Sequence, residues 1–404
     1  MFGKYLAGLK KTIDLLHEAE KKPMESGPLW LAMQERLIVQ LTDTENRIRG
    51  ARAEIKRIKN ELTKKHPKLV AGQLKKGIKQ QEVRIETNEK LLFVYRSIGD
   101  AMAYTFISRH DIKPMSEKQH AGFISNKKGS RFERRMLRYT FKAGGIAILN
   151  DLTNYLRYFD LTVIKDHDVW FPIELKSSKS LAKNPRVQRQ MEAGGTLLKY
   201  LLDDEPMAVP GMQDAQRIRL SQTSKTKHYI SQLNEYIATA RSSGSHFGKP
   251  EKGLVYWVGS RFEPPEDALK GFRSAPHLLS LNEHKFIEIA CLPLVKIFQR
   301  TEDYLSFLQG EFVVMMALDT EPMKAYALKR GYDMLPADQP NFAFLFQPHI
   351  PDRPAFQISV PMFLRIFLEC YSPKWFMKEN LDFAEQQATP ENLEALKFKS
   401  DHEI

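Results

Sequence analysis

Residues 158–180 of this 404-residue chain read YFDLTVIKDHDVWFPIELKSSKS, and this stretch decides the fold that we expect. FDLTVI alternates apolar and polar residues, and VWFPIEL is rich in aromatic and β-branched residues, so each run predicts a β-strand. The polar DHD between the two runs predicts a hairpin turn. Antiparallel pairing through this turn would bring Asp160, at the start of the first strand, beside Glu174 and Lys176, which share a face of the second strand.

Two carboxylates and an ammonium group at one end of a hairpin suit metal-assisted hydrolysis of a phosphodiester. Carboxylate oxygens are the ligands that Mg²⁺ prefers, and a bound metal lowers the pKa of its water. Lys176 would position or deprotonate the attacking water, or stabilise the developing negative charge. Both acids adjoin apolar strands, where a charged group needs a metal or another partner to offset its desolvation. The alternative is a cross-strand ion pair without a catalytic role.

The segments on either side of the hairpin supply further candidates. RFERRMLRYTFKAGG predicts a helix that ends at Gly-Gly and carries a third acid, Glu133. The helix predicted after the hairpin carries Gln188 and Gln190, which would orient a water or a phosphate oxygen. Asp151, in ILNDLTN, is either an alternative acid or, as is more common, a helix cap. A basic cluster precedes the hairpin and either grips phosphates or forms a solvated helix face: Lys127, Lys128, Arg131, Arg134, Arg135 and Arg138.

Asp160, thirteen intervening residues and then Glu174-Leu175-Lys176 resemble the PD-(D/E)XK motif of restriction-endonuclease-like nucleases. The predicted order of elements also resembles that fold: a helix with Glu133, a strand after Asp160, a strand before Glu174, and a polar helix. The resemblance covers residues 125–195, with GLVYWVGS (253–260) as a later core strand. It implies that Asp160 and Glu174 bind the metal, that Lys176 is the catalytic lysine and that Glu133 is an auxiliary acid. Phe159 stands where many members have proline.

The resemblance implies a Mg²⁺-dependent deoxyribonuclease, with Mn²⁺ as a substitute metal, and DNA as the partner. A prokaryotic restriction or anti-phage defence effector is the expected setting. An ATPase or sensor protein is a possible further partner, and the sequence leaves open whether one is needed to switch the enzyme on. The alternative from another class is a non-catalytic DNA-binding or scaffold subunit, in which Asp160, Glu174 and Lys176 form a relic site or an ion pair. Neither a Walker loop nor an HExxH motif is present, which argues against an ATPase and a zinc protease.

Composition is consistent with these expectations. Sixty-one Lys and Arg against 49 Asp and Glu leave a formal net charge of +12, which favours an anionic partner such as nucleic acid. The two cysteines, Cys291 and Cys370, exclude a disulfide framework and a cysteine-based zinc site and fit a reducing compartment. No apolar run is long enough for a membrane span, and the N-terminus lacks a signal sequence, so we expect a cytoplasmic protein with no membrane partner.

The first hundred residues predict long helices. Apolar residues between 41 and 62 alternate steps of three and four, which is a heptad seam: Leu41, Thr44, Ile48, Ala51, Ile55, Ile58 and Leu62. This pattern, followed by a second helix after Pro67, predicts a helical hairpin or a coiled coil that joins two chains in a homodimer. Residues 45–90 contain 14 Lys and Arg against 6 Glu, a net charge of +8. They form either a solvated coiled-coil face or a basic rod along a phosphate backbone.

We therefore expect an α/β protein in three parts. Residues 1–110 form a helical coiled-coil or hairpin arm, residues 111–262 the restriction-endonuclease-like domain, and residues 263–404 a small C-terminal region of mixed helix and strand. The aromatic residues of this last region, from Phe342 to Trp375, predict a packed core or a protein interface rather than a base-stacking surface.

Overall fold

A computed structural model describes residues 2–116, 122–125, 127, 129–166, 169–175, 185–203, 205, 207–208, 216–217, 224–260, 266–287, 289–350 and 353–387. Within these residues the protein is a mixed α/β structure of twelve α-helices and four antiparallel sheets, which confirms the α/β class. The chain divides into two compact units. The first comprises residues 1–219, 292–296 and 300–305, and the second comprises residues 220–291, 297–299 and 306–404.

The first unit contains six helices and five strands in full. Its helices are α1 (Leu6–Glu20), α2 (Gly27–Glu61), α3 (Lys68–Phe106), α4 (Arg109–Met115), α5 (Ser130–Lys142) and α6 (Pro185–Leu202). Its strands are β1 (Ile146–Leu149), β2 (Leu161–Asp166), β3 (Val169–Ile173), β4 (Met207–Ala208) and β5 (Gln216–Arg217).

The heptad seam of α2 is buried within a single chain. Leu41, Ile48 and Ile58 are at most 6% exposed, because α2 packs against α3 in an antiparallel hairpin and against α1. The prediction of a helical hairpin is therefore confirmed. The same residues cannot also join two chains. The heptad pattern therefore no longer supports a homodimer through these helices.

Strands β1, β2 and β3 form an antiparallel meander in that order. Leu149 pairs with Leu161, and Leu161 pairs with Ile173, so the hairpin predicted from residues 158–175 is confirmed. Helix α5, which directly precedes β1 in the chain, packs against that strand. The first unit therefore contains, in chain order, the helix of Glu133, three antiparallel strands and a further helix.

A glutamine of α2 hydrogen-bonds the free edge of β1. Gln34 is 1% exposed, donates to the carbonyl of Ala147 over 2.8 Å and accepts from the amide of Leu149 over 2.9 Å. Its side-chain amide thus supplies the donor and acceptor that a neighbouring strand would supply. Because these backbone groups are buried, they would otherwise stay unpaired, and this contact attaches the sheet to the helical hairpin.

The second unit is built on two antiparallel sheets flanked by helices. Its main sheet has the strand order β6 (Ser245–Glu251), β7 (Leu254–Gly259), β9 (Val313–Leu318) and β8 (His277–Ser280). The other consists of β10 (Tyr332–Pro336), β11 (Phe342–Pro348) and β12 (Phe356–Ser359). The remaining helices are α7 (Ile230–Ser243), α8 (Leu294–Ile297), α9 (Thr301–Gln309), α10 (Glu321–Lys329), α11 (Val360–Leu368) and α12 (Pro373–Gln387), of which α8 and α9 contain residues of both units.

This division differs in two respects from the three predicted parts. The N-terminal helices and the β2–β3 hairpin belong to one unit. The run GLVYWVGS, expected as a later strand of the nuclease core, contains β7, which lies between β6 and β9 in the other unit. That expectation was wrong, since an apolar run shows that a strand is buried but not which sheet it joins. The C-terminal aromatic residues form core, as Phe346, Phe367 and Phe376 are at most 1% exposed.

No helix in the described part of the chain is both long and apolar enough to cross a membrane.

We expect Gln34→Leu to destabilise the protein, since it leaves two buried backbone groups of β1 without partners. At about 1–3 kcal/mol for each unpaired group, the free energy of unfolding should fall by about 2–6 kcal/mol in urea denaturation followed by circular dichroism. Gln80→Leu, on the exposed side of α3, is the control and should change stability by less than about 0.5 kcal/mol. A Gln34→Leu protein as stable as the wild type would contradict this role.

Candidate functional site

Asp160 and Glu174 lie next to each other at one end of the β2–β3 hairpin. Asp160 directly precedes β2 and Glu174 directly follows β3, and the pairing of Leu161 with Ile173 places them opposite each other. The Asp160 amide donates to the carbonyl of Ile173 over 3.1 Å, and its carboxylate accepts from the amide of Leu175 over 2.9 Å. The antiparallel register thus brings together two acids that are fourteen positions apart in the sequence.

Three carboxylates converge on the ammonium group of Lys127. Its Nζ lies 2.7 Å from Asp151 Oδ2, 3.2 Å from Glu133 Oε1 and 3.3 Å from Asp160 Oδ1. These acids come from three separate segments: helix α5, the 3₁₀ turn Asn150–Leu152 after β1, and the start of β2. We call Lys127, Glu133, Asp151 and Asp160 the acid cluster. It gathers oxygen ligands of the kind that Mg²⁺ prefers around a single cation.

The acid cluster is largely shielded from water. The side chains of Glu133, Asp160 and Asp151 are 7%, 14% and 24% exposed, and that of Lys127 is 33% exposed. Burial raises the pKa of Glu133, and the charges of Asp160 and Asp151 raise it further, against the opposing effect of Lys127. Burial lowers the pKa of Lys127, but the three carboxylates outweigh burial and leave it above its ordinary value. Lys127 is thus held in its charged form.

The helical hairpin holds the segment that carries Lys127. Glu45 of α2 is fully buried and accepts from the amides of Ile124 and Ser125 over 3.0 and 2.8 Å, as well as from the Ser125 hydroxyl. Arg96 of α3 donates to the carbonyl of Gly122 over 3.1 Å and lies 3.6 Å from Glu45. This buried ion pair therefore fixes the main chain just before Lys127.

Helix α3 also positions the turn that carries Asp151. A Cβ atom at Gly99 would lie 2.1 Å from the carbonyl oxygen of Leu152, so only glycine allows this close approach. The next residue, Asp100, is 1% exposed and accepts from the amides of Asn154 and Tyr155 over 2.7 and 3.1 Å. It also accepts from the Asn154 side chain over 2.8 Å. Gly99 and Asp100 thus hold the chain on the C-terminal side of Asp151.

Phe159 makes a sharp turn immediately before Asp160. Its φ of 65° lies in the left-handed region, which costs a residue with a Cβ atom about 1–2 kcal/mol. Its ring packs so closely on α6 that a Cβ atom at Gly194 would lie 2.9 Å from it. Strained backbone of this kind persists where the surroundings over-determine it, and functional sites are the places where it concentrates.

The predicted basic cluster divides into residues with different surroundings. Arg138 forms a bidentate ion pair with Glu35 of α2, with N···O distances of 2.5 and 3.1 Å. Arg131 and Arg135 lie exposed on α5, and Arg134 is half-buried. Lys127 faces the acids, although the sequence placed it with the phosphate-gripping cations. Lys176 and Lys128, and the side chains of Gln188 and Gln190, lie outside the described residues, so their predicted roles stay predictions.

Sequence reasoning undervalued two members of the acid cluster. The sequence around Asp151 favours a helix cap. In the structure, Asp151 lies inside a short 3₁₀ turn and its carboxylate pairs with Lys127. Lys127 was one cation among six. A local signal for Asp151 did exist, since an acid two residues after a buried strand lies near a sheet end. Nothing in the sequence around Lys127 indicates that its segment is folded back onto that end.

The acid cluster matches the expected Mg²⁺ in the type of its donor atoms but not in their present arrangement. Among the residues that the structure describes, no three Asp, Glu, His or Cys side chains are arranged to hold a metal ion as they stand. The ligand chemistry nevertheless fits, because three hard oxygen donors already surround one positive charge at 2.7–3.3 Å. The position between them is taken by the Lys127 ammonium group.

Comparisons with protein-family models, curated proteins and solved structures give no match to this chain.

We expect the stability contributed by Asp100 to depend on pH. Burial raises its pKa to about 7 from an ordinary value of 3.8, against the hydrogen bonds from Asn154 and Tyr155, which lower it. The unfolded chain then loses this proton first, so this contribution is full below about pH 4 and is lost as the pH rises to about 7. The loss approaches about 1.4 kcal/mol per pH unit.

The Asp100→Asn side chain cannot ionise, so this variant should lose the decrease in stability between about pH 4 and about pH 7 that Asp100 causes. The variant should be less stable than the wild type at low pH, because an amide cannot accept all three hydrogen bonds. The free energy of unfolding in urea is measured for both proteins at pH 5, 6 and 7, and the difference between wild type and variant is compared across the three pH values. Asp43→Asn, exposed on α2, is the control and should keep the wild-type dependence. Parallel curves for wild type and Asp100→Asn would contradict the raised pKa.

Proposed function

We propose that this protein is a metal-dependent nuclease with a restriction-endonuclease-like core that hydrolyses phosphodiester bonds in DNA. One observation carries the proposal. Asp160 lies at the end of the β2–β3 hairpin beside Glu174, and in the same place Asp160, Asp151 and Glu133 surround a single cation. Acids concentrated around a cation at a sheet end form a site suited to phosphoryl chemistry.

The order of elements supports the same proposal. Helix α5 contributes Glu133, β2 follows Asp160, β3 precedes Glu174, and α6 follows the hairpin. This is the order expected from the PD-(D/E)XK resemblance. DNA rather than RNA as substrate, and a role in restriction or anti-phage defence, rest on the resemblance alone.

Asp160 and Glu174 are the residues that would hold the metal, with Glu133 and Asp151 close enough to assist. A bound Mg²⁺ would supply a water of lowered pKa and would neutralise charge on the phosphate. The chain itself contributes orientation, because the Leu175 amide fixes one oxygen of Asp160. Burial of Glu133 raises the pKa of that acid. Lys176 is proposed to stabilise the charge that develops on the phosphate.

In this proposal Lys127 is the counter-ion of the acids when no metal is bound. Carboxylates crowded into a half-buried space repel one another, so a cation must neutralise them for the site to stay closed. The ammonium group and a divalent ion would compete for the same oxygens. Lys127 would therefore withdraw when the metal binds.

The same observation also supports the alternative of a non-catalytic subunit. An acid cluster neutralised by its own lysine is what a purely structural ion network looks like. In that case the acid cluster would only tie α5, the Asn150–Leu152 turn and β2 together. The two functions differ in whether a divalent ion replaces Lys127.

For the nuclease, we expect nicking or linearisation of supercoiled plasmid with Mg²⁺ or Mn²⁺ and none with EDTA. Asp160→Asn and Glu174→Gln should each reduce the rate by at least about a hundredfold, because each removes a metal ligand. Asp166→Asn, at the opposite end of the same hairpin, is the matched control and should cleave like the wild type. Cleavage that persists in Asp160→Asn would place the active site elsewhere.

Lys127→Met separates the two functions without an activity assay. In EDTA the variant should melt below the wild type, because its acids lose their counter-ion. Added Mn²⁺ should raise its melting temperature more than that of the wild type, and the variant should bind Mn²⁺ about tenfold more tightly in calorimetry, since no ammonium group competes. Lys142→Met, exposed on α5, serves as the control. Equal metal responses in all three proteins would support the structural ion network.

A further inference from the structure

The part of the α2–α3 hairpin beyond Glu45 extends away from the acid cluster. Glu45 holds the segment before Lys127, and α2 continues from there to Glu61, a distance of about 24 Å at about 1.5 Å per residue. From residue 59 to residue 87 no residue of either helix is buried. We call residues 52–87 the distal arm. It is a two-helix projection whose base is fixed beside the candidate site.

Lysines form a stripe on the outer face of the distal arm. Lys68, Lys75 and Lys79 are spaced by seven and four residues, so they lie along one side of α3. All three are exposed, and Gly72, which lies between them on the same side, has open space where a Cβ atom would be. Leu74 and Ile78, which are half-buried, lie on the adjacent side of the helix. The stripe therefore faces solvent.

These lysines lack acidic partners. Other cations of the hairpin form ion pairs, such as Arg57 with Glu54 and Lys64 with Glu61. In the part of the chain that the structure describes, no ion pair or side-chain hydrogen bond involves Lys68, Lys75 or Lys79. Positive charge that the protein does not neutralise itself is available to an external anion.

We propose that the distal arm is a docking surface for the phosphate backbone of the duplex DNA that is cut at the candidate site. The lysines of the stripe repeat at about 6–10 Å, and a duplex presents a phosphate on each strand about every 3.4 Å along its axis, so each lysine reaches one. The choice of DNA as the anion rests on the proposed nuclease function.

The test is DNA binding in EDTA, where no cleavage occurs. The probe is a fluorescent duplex of about 20 base pairs, long enough to span both the site and the arm, followed by anisotropy over a series of salt concentrations. Lys68→Gln/Lys75→Gln/Lys79→Gln should weaken binding at least about tenfold and reduce the slope of log K against log salt by about 2–3, because three phosphate contacts are lost.

A matched triple variant controls for total charge. Lys11→Gln/Lys329→Gln/Lys374→Gln removes the same charge from exposed helical positions outside the arm and should leave the slope unchanged. Equal effects of the two triples, or no effect of the arm triple, would overturn the proposal. Leu69 and Val83 of the arm are 75% and 55% exposed, which also suits a lipid surface. Arm-dependent binding to phosphatidylserine vesicles without arm-dependent DNA binding would likewise overturn it.

The outcomes for the arm and for the catalytic site are independent. Arm-dependent binding without metal-dependent cleavage would refute only the nuclease. Cleavage that requires Asp160, together with unaltered binding by the arm triple, would refute only the arm.

Discussion

Buried backbone polar groups must be hydrogen-bonded, and in the first unit the side chains of two helices meet that requirement for the segments that carry the candidate site. Gln34 pairs the outer edge of β1, Glu45 pairs the amides before Lys127, and Asp100 pairs those after Asp151. Each of these three side chains is buried, so each contact would be costly to lose.

The site is therefore not an independent domain with a helical extension. The half of the α2–α3 hairpin that contains Gln34, Glu45 and Asp100 is part of its frame, which reaches as far as Arg52, whose guanidinium lies over the Phe123 ring. The acid cluster depends on this frame because its members come from separate segments. Repulsion between Glu133, Asp151 and Asp160 would spread those segments apart if the main chain were not held and if no cation lay between them.

The distribution of charge is consistent with a phosphate-containing partner. Three carboxylates repel a phosphodiester, so such a group can approach only if a cation lies between, whether an ammonium group or a metal ion. The surplus of positive charge lies partly on the distal arm, where lysines without acidic partners face solvent. In the proposed function, attraction at the arm and neutralised acids at the sheet end would be complementary requirements for holding and cutting a polyanion.

Local patterns in the sequence determined much of the first unit. The heptad spacing of α2, the alternation in FDLTVI and the Gly-Gly end of α5 each depend on residues near one another. The helical hairpin, the β2–β3 hairpin and the adjacency of Asp160 and Glu174 therefore followed from the sequence. Only the tertiary structure decided that Lys127 and Asp151 lie with the other members of the acid cluster. It also decided that side chains of α2 and α3 hydrogen-bond the segments that carry the site, and that β7 belongs to a different sheet. Those contacts join residues far apart in the chain, such as Glu45 with Ser125, and depend on burial and pairing that no short pattern encodes.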